Sequence, residues 1–445
     1  MPNTPFSALI LAAGLGTRMN SKLPKVMHKL AGRPMLLNLL ETVESLNPKI
    51  LAVVRGPGME SIDNFVHPYE VCIQKERLGT GDAVNSAAAL LRSEKDPLLI
   101  LFGDTPMVSR DTIISAINAC KNESEIVVVG FRPENPANYG RLVIGHGGDL
   151  IEIVEAKDAS IEQLKIEICN SGLMVVSGEH LFGLLKELNN RNAKGEYYLT
   201  DIVKIGRGKG LRIGFIEAEE EELMGVNNRE ELATAESVLQ DKLRAKAMEN
   251  GVTLVDPSTV WFSHDTSLGQ DVVIHPNVVF GPEVKIGNNV EIKPFSHIEG
   301  AIVNDGAVIG PFARIRPGTK LGTDVKVGNF VEIKNSEIEN DTKVNHLSYI
   351  GDTKIGHKTN IGAGTITCNY DGFVKHRSSI GDKVFIGSNT ALVAPITIGD
   401  GAIIAAGSTV TKDVSSNSLA IERTSQNEKP DWAKSFRKKH LSSKS

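Results

Sequence analysis

Cysteine is scarce: Cys72, Cys120, Cys169 and Cys368 are all there are in 445 residues, and no two form a CxxC pair. Scattered thiols of this kind are expected to stay reduced, in a reducing compartment. Long apolar runs are missing as well. No stretch approaches the roughly 18 residues needed to cross a bilayer, so no membrane span is expected. The N-terminus lacks a basic start followed by a long apolar stretch and a cleavage site, so no signal peptide is expected. Nor is there an excess of basic charge. The net charge is -5, and the basic surface that attracts nucleic acid is not indicated. Together these absences point to a cytoplasmic protein with no nucleic-acid and no membrane partner.

What is present is ordinary globular material, 41% apolar and 23% charged. At about 100–200 residues per domain, the length suggests two or three domains. Residues 1–226 alternate short apolar runs (7–13, 50–54, 98–102, 125–130) with helical stretches such as 82–91 and 110–119. That alternation predicts an α/β domain, Rossmann-like, with a mainly parallel sheet covered on both faces. Ligands of such sheets bind at the carboxyl ends of the strands. Residues 228–249 are rich in Glu, Ala, Leu, Lys and Arg and lack Gly and Pro. They predict a helix, and 227–250 is taken as a rigid linker.

From residue 251 an aliphatic or aromatic residue recurs every six positions. One run is Leu268, Ile274, Phe280, Ile286, Ile292 and Ile298. After a slip of one it resumes at Val303, Ile309, Ile315, Leu321, Val327 and Ile333, and later at Ile380, Ile386, Leu392, Ile398, Ile404 and Val410. A fixed short period is the mark of a solenoid. Six residues make one strand and one turn, three such units make a triangular coil, and the aliphatic side chain points to its axis. Ordinary sandwich strands, with turns every 8–12 residues or so, would not hold phase six. A left-handed parallel β-helix of hexapeptide repeats is therefore expected over 251–424. Residues 425–445 leave the repeat; Trp432 and Phe436 among basic residues suggest either a frayed tail or a short helix offering charge to an anion.

Two places carry chemistry. Leu11-Ala12-Ala13-Gly14-Leu15-Gly16-Thr17-Arg18 follows the first predicted strand. Small residues let backbone amides approach phosphates, and Arg18 and Lys25 add cations. Alone, such a loop is equally a tight turn. Phe102-Gly103-Asp104 ends another predicted strand, where a carboxylate suits Mg²⁺ between nucleotide phosphates or, more simply, caps the next helix. In the repeat, Arg316, Glu332, Lys334, His346, Ser348 and Tyr349 are polar where a scaffold needs none. The step from Thr367 to Ile380 breaks phase, at two repeats plus one, so a loop holding Asn369, Tyr370 and Lys375 is expected to be extruded. A lone histidine in a strand is usually a surface residue. With Arg316, Lys334 and Lys375 nearby it gains a phosphate site, and histidine is the side chain best suited to act as a base near neutral pH.

The glycine loop, Leu23-Pro24-Lys25-Val26, Gln74, Leu78-Gly79-Thr80-Gly81, Phe102-Gly103-Asp104, Tyr139-Gly140-Arg141, Glu155, Asn170-Ser171-Gly172, Tyr198-Leu199-Thr200-Asp201 and Gly225-Val226-Asn227-Asn228-Arg229 resemble sugar-nucleotide pyrophosphorylases. Over nearly the whole chain, their order and spacing are similar to the bifunctional N-acetylglucosamine-1-phosphate uridylyltransferase/glucosamine-1-phosphate N-acetyltransferase family. That resemblance implies acetyl transfer from acetyl-CoA to glucosamine-1-phosphate by the β-helix. Uridylyl transfer from UTP to N-acetylglucosamine-1-phosphate by the first domain would follow, supplying the precursor of peptidoglycan and lipopolysaccharide. In that family Leu11, Ala12, Ala13, Gly14, Gln74, Gly79 and Thr80 would hold uracil and ribose, beside Phe102 and Gly103. Gly140, Glu155, Asn170 and Thr200 would hold the amino-sugar. Asp104 and Asn227 would ligate Mg²⁺, while Arg18 and Lys25 would neutralise the triphosphate. Asp82 is a departure, standing where many relatives would carry His or another residue.

In the second domain the same resemblance makes His346 the general base and Glu332 its support. Arg316, Lys334, Tyr349, Asn360, Asn369 and Lys375 would bind glucosamine-1-phosphate. Ala363, Asn369, Tyr370, Ser388, Ala406 and Arg423 would line an acetyl-CoA cleft. The family is trimeric, with acetylation sites between β-helices, and the basic tail would cover a neighbour's coenzyme A. Two other possibilities compete. A single-activity pyrophosphorylase with a regulatory or assembly β-helix gives no reason for His346, Lys334 and Asn369-Tyr370 to occur together. A non-catalytic exchange-factor subunit should lack the intact loop with Arg18, Lys25 and Asp104.

Overall fold

The computed structural model describes residues 4–136 and 138–441; residues 1–3 of the first expected domain and 442–445 of the expected tail lie outside the described residues. The chain divides into two compact units, Met1–Lys242 and Leu243–Ser445, and the division falls inside the helix Arg229–Glu249.

Unit one is built on a sheet of nine strands among the described residues. Ser7–Leu11 is an interior strand, parallel to Leu51–Arg55 on one side and to the central Pro97–Phe102 on the other. Glu70–Ile73 continues the parallel set outward. Beyond Pro97–Phe102, Cys169–Ser177 runs antiparallel, followed by Ile126–Phe131 and Ile213–Glu217. The apolar run of the first strand explains its place. Ala8 and Ile10 enter one core, and Leu9 and Leu11 enter the other. A strand apolar on both faces is stable only between two covering layers, and each fully buried aliphatic contributes roughly 1.5–3 kcal/mol. The helix expected over 82–91 is interrupted. Thr80–Asn85 and Ala88–Leu91 are separate. The Ser86 hydroxyl donates back to the Ala83 carbonyl at 2.6 Å, and the Ala87 amide donates to Val84 in a tighter three-residue turn. The start of Arg229–Glu249 belongs to this unit: Ala235 packs with Leu30, Met35 and Val226.

Unit two is a parallel β-helix. Three parallel sheets, of ten, eight and eight strands among the described residues, run along it. Registered partners lie one coil apart in the chain, as in Ile292↔Ile309 and Ile309↔Val327. The aliphatics of the six-fold period, expected to point inward, do so, and Ile274, Ile292, Ile309, Ile333 and Ile386 are fully buried in one core. Ile361 and Ile386 are also in register, but the chain takes a longer path between them. The surplus is the hairpin at 369–376, closed by pairing of Tyr370 with Lys375. Corners turn through positive φ, and Phe295, Phe312 and Phe330 do so at 60°, 56° and 56°. Their rings stack with centroids 5.1 and 5.0 Å apart, which offsets a backbone conformation unfavourable for a bulky residue. The tail forms the helix Trp432–Leu441, with Trp432 stacked on Phe436.

Candidate active sites

In unit one the strand ends converge on two adjoining clefts. The first, about 410 Å³, is lined by Leu11, Ala12, Ala13, Gly14, Lys25, Gln74, Gly79, Thr80, Phe102 and Asp104. The second, about 590 Å³, shares Phe102 and Asp104 and adds Arg18, Gly140, Glu155, Asn170 and Asn227. Thr200 joins through its hydroxyl, which donates to Glu155 Oε1 at 3.4 Å.

Local folding explains the convergence. The Gly103 amide donates to Leu11 O at 2.9 Å, which ties the ends of two parallel strands together. Gly16 turns at φ 64°, and a Cβ there would lie 2.5 Å from Lys25 Cβ, so the loop closes onto the lysine only as glycine. Arg77 clamps the loop from behind, donating to Ala13 O at 3.0 Å and to Pro57 O at 2.9 Å. The segment at 78–81 is strapped to 197–199 by Tyr197 N to Leu78 O (2.7 Å), Gly81 N to Tyr197 O (2.8 Å) and Leu199 N to Thr80 Oγ1 (2.9 Å). Gly79 tolerates that approach because a Cβ would sit 2.6 Å from Tyr197 O.

The Lys25 ammonium donates to Asp104 Oδ2 and, at 3.1 Å, to Asn227 Oδ1. Those two oxygens converge on one cation. Asn227 is held by Glu231, whose Oε2 accepts from its backbone amide at 2.7 Å and its side-chain amide at 3.1 Å. The capping role conceivable for Asp104 is taken by Ser109, which accepts from Thr112 N at the start of Arg110–Asn122. A carboxylate and an amide carbonyl are hard oxygen donors. They fit Mg²⁺, which takes one or two protein oxygens and completes its shell with water and phosphate. Deeper in the second cleft, burial pushes the Glu155 carboxyl up from its ordinary value.

In unit two, register sets the site. Val327, Val344, Ile361, Ile386 and Ile404 are successive partners. Two positions beyond each stand Asn329, His346, Ala363, Ser388 and Ala406, one column down one edge of the coil. The carbonyls of Asn329, His346, Ala363 and Ser388 each accept the next coil's backbone amide, at 3.0, 3.3, 2.7 and 2.8 Å. Arg423 closes the column by donating to Ala406 O at 2.8 Å.

The imidazole has a partner other than the one expected. His346 Nδ1 lies 2.8 Å from Asn329 Oδ1, while Glu332 accepts from Arg316 Nη1 at 2.7 Å. Register is the reason. Asn329 pairs with His346, whereas Glu332 pairs with Tyr349 around the corner. With Nδ1 donating to a carbonyl oxygen, the Nε2 lone pair of the exposed imidazole is left free.

At the opposite edge of the Glu332–Lys334 sheet a second cluster forms around Asp352, which is 6% exposed. Asn335 Nδ2 donates to its Oδ1 at 2.5 Å, Asn369 Nδ2 donates to its Oδ2, and Lys334 Nζ lies 3.7 Å away. Burial would raise this carboxyl, but hydrogen bonds from Asn335 and Asn369 and the charges of Lys334 and Lys375 hold it below its ordinary value. The Lys334 ammonium in turn pushes its neighbour Lys375 down. Tyr349 Oη and Asn369 Nδ2 both lie over Gly351, within 2.6 and 2.7 Å of where a Cβ would stand. Asn360 lies on the adjacent sheet, and Tyr370 is exposed on the hairpin.

Asn329, Asp352, Arg77 and Glu231 were not evident as site residues in the sequence. For two of them a signal exists. The same sequence offset separates Asn329 from His346 and Asp352 from Asn369, and it is the offset of one coil.

Comparison with known proteins assigns both units. Residues 8–196 match the MobA-like NTP transferase domain. Residues 265–300, 300–335 and 377–412 match the bacterial transferase hexapeptide (six repeats). The bifunctional protein GlmU of Paramagnetospirillum magneticum is 50% identical over 100% of this chain and 99% of its own. Those of Rhodospirillum rubrum and Zymomonas mobilis are 54% and 49% identical, each over 98% of both chains.

Proposed function

The chain belongs to the family of bifunctional GlmU proteins, and from that premise we propose that it makes UDP-N-acetylglucosamine in two steps, one in each unit. Unit two transfers acetyl from acetyl-CoA to glucosamine-1-phosphate. Unit one then transfers uridylyl from UTP to the N-acetylglucosamine-1-phosphate, releasing pyrophosphate. The observation that carries this proposal is that each unit has a chemically complete cluster of its own: Lys25, Asp104 and Asn227 in one, His346 with Asn329 in the other.

In uridylyl transfer a phosphate oxygen of the sugar-phosphate attacks the α-phosphorus of UTP in line. The new P–O bond forms as the bond to pyrophosphate breaks, and no protein nucleophile is needed. Backbone amides of the glycine loop, Arg18 and Lys25 hold the triphosphate and stabilise developing charge. Gln74, Gly79 and Thr80 seat the nucleoside, and Gly140, Glu155, Asn170 and Thr200 seat the sugar. Asp104 and Asn227 would hold Mg²⁺, which when bound offsets charge on the phosphates. Lys25, bonded to both, then turns to the phosphates.

In acetyl transfer His346 Nε2 takes a proton from the amine of glucosamine-1-phosphate. The nitrogen attacks the thioester carbonyl, the C–N bond forms, the C–S bond breaks, and the proton passes to the departing thiolate. Arg316, Lys334 and Lys375 hold the phosphate, and Glu332 fixes Arg316. Tyr349, Asn360 and Asn369 position the sugar. The small side chains of Ala363, Ser388 and Ala406 leave an edge along which coenzyme A lies, with Tyr370 and Arg423 flanking it. An open edge of this kind is completed by neighbouring copies, in keeping with a homotrimer whose basic tail helices cover coenzyme A.

The setting is cytoplasmic, in keeping with four free cysteines, and the product feeds cell-wall and lipopolysaccharide synthesis. Among the described residues no helix is long and apolar enough to cross a membrane. The test is synthesis of UDP-N-acetylglucosamine from glucosamine-1-phosphate, acetyl-CoA, UTP and Mg²⁺. Product is expected from the full mixture and none without acetyl-CoA. A folded chain that releases no thiol from acetyl-CoA would reduce the β-helix to a scaffold and leave a single-activity pyrophosphorylase.

A further inference from the structure

Gln74 is 4% exposed and lines the cleft beside the glycine loop. Its Nε2 donates twice, to Gly79 O at 3.0 Å and to Asp82 Oδ2 at 2.9 Å. Both acceptors are oxygens, one of a backbone carbonyl and the other of a carboxylate. The amide nitrogen must therefore face them, and the orientation is fixed by chemistry. Both amide hydrogens are spent. Oε1 has no hydrogen-bond partner among the described residues and remains as a pure acceptor.

We propose that Asp82, the residue that departs from the expected pattern, is the positioning residue that makes this cleft select a base with a ring N–H. It acts through Gln74 and touches no substrate. Uracil presents a donor at N3, whereas cytosine presents an acceptor there. Against a fixed Oε1, uracil gains a hydrogen bond and cytosine meets two facing lone pairs. Without Asp82 only Gly79 O orients the amide, one N–H is released, and the amide is free to rotate and offer a donor. This inference rests on the uridylyltransferase assignment of unit one and names the residue that sets its nucleotide choice.

The experiment measures kcat/KM for UTP and CTP in pyrophosphate release with N-acetylglucosamine-1-phosphate, for the parent, Asp82→Ala and Asp82→Asn. Acetyl transfer by unit two reports that each chain is intact. The parent should favour UTP. Asp82→Ala should cut that preference about tenfold, the worth of one oriented hydrogen bond, mainly through KM. Asp82→Asn should keep it, because its Oδ1 still accepts from Gln74. An alanine variant with the parent's preference would overturn the proposal. So would equal losses for both nucleotides in both variants, since that is the mark of a merely structural residue. A parent that takes neither nucleotide, while still acetylating, would instead overturn the assignment on which the proposal rests.

Discussion

In unit one the site gathers residues from Leu11 to Asn227, carried by loops at the ends of strands and, at Asn170, by the antiparallel strand Cys169–Ser177 itself. In unit two one part of it descends an edge coil by coil, with one longer step where the hairpin is extruded, and the Asp352 cluster stands at the opposite edge of the sheet. The first arrangement forms two clefts that share Phe102 and Asp104. The second leaves His346 exposed on the edge of the coil. A twisted sheet brings distant loops together and can bury a whole substrate. A solenoid sets identical positions one above another and so makes a track rather than a pocket. The uridylyl site should therefore depend on charge convergence, and the acetyl site on register.

Apart from loss of His346 itself, the largest effect should come from the convergence. Lys25→Ala should lower kcat/KM for uridylyl transfer by about 10²–10³-fold, as expected for a lost charge-stabilising donor, with thiol release from acetyl-CoA unaltered. Steady-state assays of both reactions on one preparation check this. A loss of both activities would erase the contrast between the units.

Asp352→Asn comes next. It removes the anion that holds Lys334 and orients Asn369. KM for glucosamine-1-phosphate should rise roughly 10–100-fold, the scale of charged hydrogen bonds, with kcat changed less. A fall in kcat alone would show that the cluster does not bind the phosphate.

Asn329→Ala should lower kcat of acetyl transfer by about five- to tenfold, since one neutral hydrogen bond fixes the imidazole tautomer. Its pH–rate profile should shift, whereas Glu332→Gln should act on KM through Arg316. If Glu332→Gln moves the profile and Asn329→Ala does not, the register-based pairing is wrong.

The smallest effect concerns pH. Asp352 lies below its ordinary 3.8 in the folded chain. Its contribution to stability is thus full above that value and fades as pH falls through the folded one. The destabilisation caused by Asp352→Asn, read as a difference in thermal midpoint from the parent, should be greatest at pH 6 and shrink towards pH 3. A difference that grows on acidification would contradict the sign.

Legibility in the sequence follows the same division. Phase six announced the coil because each inward aliphatic, such as Ile309 or Ile333, has one place to go. The extruded hairpin was visible as a broken interval. Asn329 and Asp352 were not seen, because their role depends on counting whole coils, and successive coils are not all of one length. In unit one four strands were plain from their apolar runs, but others, such as the antiparallel Cys169–Ser177 and the edge strand Ile213–Glu217, were not read. The site was legible only through motifs, because no periodicity connects Lys25 to Asn227. The break at Ser86 was hidden by the good helix formers that follow it, Ala87 to Leu91, and the back-bonding hydroxyl that causes it is an ordinary residue in a sequence.

The most direct measurement is the pair of activities in two variants. His346→Ala should lose acetyl transfer by about 10²–10⁴-fold and keep uridylyl transfer within twofold or so of the parent. Asp104→Ala should do the reverse. Loss of both activities in either well-folded variant would contradict two separate sites, and retained acetyl transfer in His346→Ala would remove the histidine from the chemistry.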